Sequence, residues 1–166
     1  MNAFVAAKSV GVDERQIKEG LEKFSGIKRR FEEVGSINGG LVICDYAHHP
    51  DEIISSLKTV APLVKNKLHV IFQPHTYSRT AALFDEFVRC FANVEEAIIY
   101  KTYPARERYC YEGSAEALFK ALDNANEYCD HPEKIKKYLH QRVESGDTVL
   151  VLGAGDIYDI VKWAIS

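Results

Sequence analysis

Six consecutive residues, Asp45-Tyr46-Ala47-His48-His49-Pro50, put one carboxylate, one phenol and two imidazoles between an apolar run, Leu41-Val42-Ile43-Cys44, and a helical pattern. That turn lies where parallel α/β sheets place binding chemistry, at the carboxyl ends of their strands. A second polar cluster, His75-Thr76-Tyr77-Ser78-Arg79-Thr80, follows the next apolar run, Leu68-His69-Val70-Ile71-Phe72. Asp45 has two readings, a cap for the following helix or a ligand group. Arg79 also has two, a surface cation or a clamp on a carboxylate. Arg29-Arg30 is either a solvated pair or carries one guanidinium aimed at phosphate, whose geometry suits its bidentate fork. Adjacent histidines at a helix entry seldom converge on one ion, and no Cys or third His stands at ligand spacing. No metal site is expected.

The elements that must hold these residues alternate. Leu41–Tyr46, Leu68–Gln73, Glu96–Tyr100, Asn126–Cys129 and Thr148–Leu152 read as strands, and the segments between them carry helical spacing. One apolar stripe is Ile53, Ile54, Leu57, Val60, Ala61 and Val64. Others are Phe84, Phe87, Val88 and Phe91, then Leu118, Phe119 and Leu122, then Ile157, Ile160, Val161 and Ala164. Apolar strands alternating with amphipathic helices predict a Rossmann-like, mostly parallel sheet covered on both faces. Lys28–Val34 and Leu41–Tyr46 flank Ser36-Ile37-Asn38-Gly39-Gly40, a hairpin signal that adds one antiparallel edge strand. Before Gly26 the pattern changes. Asn2–Val10 is a short helix, and Asp13 opens another, with Gln16 at capping-box distance. The stripe Ile17, Leu21, Phe24 finds no partner in the chain, and Ser25-Gly26 reads as a hinge.

The 166 residues suffice for one domain with a real core, and 46% apolar with 27% charged is ordinary globular composition. A net charge of -3 supplies no basic field for nucleic acid or an anionic membrane. The four cysteines form no CxxC pair, which favours reduced thiols in a cytoplasmic protein. Neither an apolar run of membrane-spanning length nor a secretion leader is expected. Gly153-Ala154-Gly155-Asp156 is half of a dinucleotide fingerprint, with Tyr158 at the third glycine position, and a tight turn explains it without a ligand. No GxxxxGK[ST] phosphate loop occurs.

Taken in order, Gly26-Ile27-Lys28-Arg29-Arg30-Phe31, Asp45–Pro50, Phe72-Gln73-Pro74-His75-Thr76-Tyr77-Ser78-Arg79-Thr80 and Gly153-Ala154-Gly155-Asp156-Ile157 resemble the C-terminal domain of the Mur ligases. The Asp-x-Ala-His-x-Pro core is shared with folylpolyglutamate synthases. The Phe72–Thr80 run resembles the alanine-adding branch more narrowly, and residues from Tyr100 to Glu144 match weakly. The resemblance implies a cytoplasmic, three-domain ligase of peptidoglycan synthesis that joins L-alanine to UDP-N-acetylmuramate through an acyl phosphate made from ATP, with Mg ligands mainly on the other domains. It implies that residues 26–166 are the C-terminal domain and that residues 1–25 are the last helices of the middle, ATP-binding domain with a hinge. Carried over by position, Arg30 and His48 are catalytic, Arg30 and Asp45 bind ATP, and Tyr46, His48 and Arg79 bind the amino acid. Many relatives have a second Arg where Thr76 stands, which leaves the carboxylate to Arg79 here. The rival reading is a stand-alone, non-catalytic nucleotide- or amino-acid-binding module.

Overall fold

The apolar runs become the middle of one sheet. The computed structural model describes residues 2–24, 26–123 and 125–166, so Ser25 of the expected hinge lies outside the described residues. The strands are β1 (Glu32–Ile37), β2 (Gly40–Asp45), β3 (Leu68–Phe72), β4 (Glu96–Tyr100), β5 (Ala125–Cys129) and β6 (Thr148–Leu152), ordered β1-β2-β6-β3-β4-β5. The β1–β2 pair is antiparallel and every other pair is parallel. The helices are α1 (Asn2–Ser9), α2 (Glu14–Glu22), α3 (Pro50–Val60), α4 (Tyr77–Ala82), α5 (Phe84–Phe91), α6 (Ala115–Ala121), α7 (Pro132–Arg142) and α8 (Ile157–Ala164).

Alternate residues of each strand feed opposite faces, as the pleat requires. Ile43, Val70, Phe72, Ile99, Leu150 and Leu152 pack against Ile53 of α3, Phe87 and Phe91 of α5 and Leu118 of α6. Val42, Cys44, Ile71, Ile98, Val149 and Val151 pack against Ile135 and Leu139 of α7 and Val161 of α8. Doubly covered strands explain why these runs are apolar throughout. The cysteines are all free. Cys44, Cys90 and Cys129 are buried and Cys110 is exposed. Burial pushes the Cys44 thiol up to about 12, so it stays protonated.

The edge hairpin forms, but its first strand is shifted. The sequence places a strand over Lys28–Val34, whereas β1 begins at Glu32 and runs through Ile37. Arg29 and Phe31 have left-handed backbones (φ 62° and 47°), which bend the chain where a strand was expected. The Glu32 carboxylate holds that bend by accepting the Arg29 amide at 2.6 Å. Asn38 and Gly39 make the tight turn with φ of 51° and 83°, the paired positive values a two-residue hairpin needs. At α2, Asp13 accepts the Arg15 amide at 2.9 Å. Among the described residues no bond from Gln16 completes the expected capping box.

In the two leading helices Ile17 is buried, but Leu21 is 47% and Phe24 61% exposed. Their stripe therefore lies mostly open. Among the described residues, no helix is long and apolar enough to cross a membrane.

Candidate functional site

Parallel pairing aligns Asp45 at the end of β2 with Leu152 of β6, and Leu152 with Phe72 of β3. The turn after β2 and the turn after β3 therefore rise at the same edge, separated only by the end of β6. Rings bridge that gap. Tyr46 and His48 meet edge to face at 5.2 Å, His48 and His75 lie 5.8 Å apart, and His75 stacks on Tyr103 at 5.4 Å. The Asp45 turn and the Arg79 segment thus form one wall.

Asp45 does not cap the following helix. His49 is the residue that caps α3, its Nδ1 accepting the Asp51 amide at 3.4 Å. Glu52 completes the box, accepting the amides of His48 at 3.0 Å and His49 at 3.2 Å. Burial raises the Glu52 pKa, but those bonds and the nearby His48 and Arg30 outweigh it and hold it below the usual range. Asp45 is consequently not spent on the helix end. Its Oδ2 accepts the Ser56 hydroxyl at 2.5 Å, which fixes the carboxylate's orientation.

His48 is fixed as well. Its Nδ1 lies 2.8 Å from the Tyr46 carbonyl oxygen, which can only accept. Nδ1 is therefore the donor in this contact, which leaves Nε2 facing away from it. The arginine pair divides its work. Arg29 is half-buried, pairing with the exposed Asp159 at 3.0 Å and lying over the Tyr158 ring at 4.6 Å. Arg30 is exposed and sits 5.2 Å over the Tyr46 ring, at the rim of the same wall.

On the other turn, Arg79 Nη1 and His75 Nδ1 are buried without a hydrogen-bond partner. Native structures rarely leave such atoms unsatisfied, and a guanidinium and an imidazole so placed can meet an anionic ligand. Desolvation lowers the His75 pKa, with the charges of Arg79 and His48 acting in the same direction, so His75 is neutral at neutral pH. Asp45, Tyr46, His48 and Arg79 are therefore assembled on one wall and Arg30 at its rim. His75 was quoted in the motif but given no role. The signal that could have found it was its position directly after the strand-ending Gln73-Pro74. No group of three or more His, Cys, Asp or Glu that could hold a metal ion occurs among the described residues.

Gln73 is a second residue quoted in the motif but given no role. It is 1% exposed, donates to Asp156 Oδ1 at 2.7 Å and accepts the Ile157 amide at 3.1 Å. It ties the Gly153–Asp156 turn to the end of β3, so those glycines serve packing. A Cβ on Gly155 would lie 2.7 Å from Tyr103 Cβ and closer still to Gln73 Oε1. Gly155→Ala is expected to cost about 1–3 kcal/mol, as over-packing does. Urea denaturation of the variant and parent chains measures it, and an unchanged midpoint would contradict the tight turn.

Comparison with known proteins agrees with this geometry. Residues 29–155 match the family described as Mur ligase, glutamate ligase domain. The chain is 43% identical over 161 residues to a UDP-N-acetylmuramate--L-alanine ligase of Lachnospira eligens, covering 95% of this chain and 35% of that relative. The namesake from Caldicellulosiruptor saccharolyticus is 41% identical over 163 residues, covering 96% and 36%. The chain thus spans about a third of the length of these curated relatives. Among solved structures, the UDP-N-acetylmuramate-alanine ligase of Thermotoga maritima superposes with a TM-score of 0.73 at 26% identity, over 98% of this chain and 35% of that one. A Yersinia pestis bifunctional folylpolyglutamate synthase/dihydrofolate synthase shares the fold with a TM-score of 0.66 at 21% identity, over 92% and 33%. The family model covers most of the chain, and the chain belongs to the Mur ligase family through its glutamate ligase domain.

Proposed function

We propose that this chain is the C-terminal domain of an ATP-dependent cytoplasmic ligase that adds L-alanine to UDP-N-acetylmuramate for peptidoglycan. The observation that carries the reading is the unpartnered Arg79 Nη1, buried beside the unpartnered His75 Nδ1 on the wall that also bears His48 and Asp45. The names of the relatives support the choice of substrates. In this reading Arg79 takes the alanine carboxylate. Tyr46 and His48 border the amino group, and His48 Nε2 stands as the acceptor for the proton that group sheds on acylation. Holding both ends of so small a substrate turns its attack into an oriented, effectively intramolecular step.

Asp45 is assigned to the ribose hydroxyls of ATP. The residue fits, because one carboxylate oxygen is held by Ser56 and no described group takes the other. Arg30 is assigned to the ATP phosphates, where its charge would offset the charge on the transferring phosphoryl group. Magnesium is assigned mainly to ligands on the other domains of the enzyme. Residues 1–25 are assigned to the middle domain, and the open faces of Leu21 and Phe24 support that assignment. The third domain's part is to close, excluding water from the acyl phosphate and bringing alanine against it.

The purified chain should hydrolyse no ATP, with or without L-alanine, because it supplies neither a phosphate loop nor a bound UDP-sugar. Adding the N-terminal and middle domains of a relative on a separate chain should restore measurable ligation. ATP turnover by this chain alone, surviving Arg30→Ala, would sink the proposal in favour of an independent enzyme. Saturable nucleotide or alanine binding with no ligation in the reconstituted mixture would favour the stand-alone binding module.

A further inference from the structure

The short helix α4, which presents Arg79, is not held by its own sequence. Its N-cap residue, Thr76, makes no side-chain capping bond and sits at φ 68°, ψ 140°, a backbone conformation costly for a β-branched residue. Strain of this kind persists only where the surroundings over-determine the turn. Here the segment after β4 does so. The Thr76 amide donates to the Tyr103 carbonyl at 2.9 Å, and the Tyr103 amide donates to the Pro74 carbonyl at 2.8 Å. Gly113 closes the far end, where a Cβ would overlap the Tyr77 carbonyl.

The missing cap comes from the same segment. Glu107 accepts the Ser78 amide at 2.8 Å through Oε2 and the Ser78 hydroxyl through Oε1. Both carboxylate oxygens are thus committed to the first turn of α4, twenty-nine residues away in sequence. Those two bonds, opposed by slight desolvation and aided by the Tyr77 amide and the Arg79 charge, hold the Glu107 pKa below the usual carboxylate range, so it is ionised at neutral pH. It also lies close enough to Arg79 and His75 for its charge to register on both. Yet it forms no ion pair with Arg79, whose Nη1 remains unpartnered.

We infer that Glu107 is the positioning residue of the amino-acid site: it caps α4 from across the fold, orients Arg79 toward the His48 turn, and leaves the guanidinium free for a substrate carboxylate. This rests on the assignment of Arg79 to the alanine carboxylate. Glu107 does not touch substrate and acts only through α4, so its removal should weaken alanine binding selectively.

The test is steady-state kinetics of the complete ligase carrying this domain, with Glu107→Ala, Glu107→Gln, Arg79→Ala and the double variant Glu107→Gln/Arg79→Ala. Losing a charged double acceptor at a helix start should raise KM for alanine about tenfold in Glu107→Ala and less in Glu107→Gln, which keeps one acceptor oxygen. KM for ATP and kcat should move less than about twofold, far below that effect. The double variant should be no worse for alanine than Arg79→Ala, because residues acting through one another are not additive. Should Glu107→Ala fold poorly, the Gln variant and the double variant still decide. An additive double variant, an unchanged alanine KM, or an equal rise in ATP KM would overturn the inference. If Arg79→Ala itself leaves alanine KM unchanged, the site assignment falls and the inference falls with it. An effect in Arg79→Ala but none in either Glu107 variant removes the inference alone.

Discussion

Arg79→Ala in the complete ligase should raise KM for L-alanine by about 10- to 150-fold, the equivalent of the 1.5–3 kcal/mol that a charge-assisted hydrogen bond contributes. KM for ATP should stay nearly constant. The asymmetry follows from placement. Arg79 stands after β3 with a buried, unpartnered Nη1, whereas Asp45 and Arg30, assigned to the nucleotide, lie on the β2 side of the wall. A carboxylate would accept from that nitrogen, and the guanidinium fork suits its two oxygens. Thr76 offers no second cation, so no other arginine of this turn can take over the contact. Lysine at position 79 should recover little, because a point charge does not reproduce the fork. Unchanged alanine dependence with collapsed nucleotide binding would reverse the assignment of the two turns.

The largest loss of stability should come from the opposite end of the sheet. Asp147, 3% exposed, accepts the Asn66 side chain at 2.8 Å, the Lys67 amide at 3.2 Å, the Glu144 amide at 2.8 Å and His69 Nε2 at 3.0 Å. The His69 ring, 1% exposed, lies 2.8 Å through Nδ1 from the Tyr138 hydroxyl on α7. One carboxylate therefore joins the starts of β3 and β6 and, through His69, α7. Asp147→Ala would leave the buried His69 Nε2–H unsatisfied and release three donors of the exposed loops around it, and should cost about 3–5 kcal/mol, the range for breaking a buried polar network from one side. The same site should respond to acid. Burial raises the Asp147 pKa, but the Glu144 amide, His69 and the Lys67 amide outweigh it and leave it lowered. A group depressed on folding stabilises above its unfolded pKa, about 3.9, and loses that contribution as pH falls through the folded value. Denaturation midpoints of the parent chain should thus drop below about pH 4, and Asp147→Asn should flatten that part of the profile. A variant as acid-sensitive as the parent would assign the effect to other carboxylates.

Much of this was legible before any coordinates. Five strands, the hairpin and the strand-end turns follow from apolar runs and their punctuation. β4 and β6 carry the same limits in sequence and structure, since each runs as an unbroken buried apolar stretch after its first residue. The boundary missed most widely, the start of β1, depended on a bend held by Glu32, a residue whose role as acceptor no local pattern reveals. The Gln16 capping box failed on a highly exposed helix start, where water competes for the same amide.

The layered α/β architecture, the family and the presence of His, Tyr, Asp and Arg at two strand ends can all be read from the chain without its fold. Those are local properties, carried by periodicity and by runs of a few residues. How they meet is a matter of packing. Inserting β6 between β2 and β3 sets the two turns on facing sides of one strand end, so that His48 reaches His75. Packing also decides that His49 rather than Asp45 caps α3, that Arg29 pairs with Asp159 while Arg30 stays at the rim, and that Glu107 bonds the first turn of the helix bearing Arg79. The physical reason is that hydrogen bonds and ion pairs between distant residues are fixed by which elements pack side by side, and adjacency in a sheet is not written in the order of its strands.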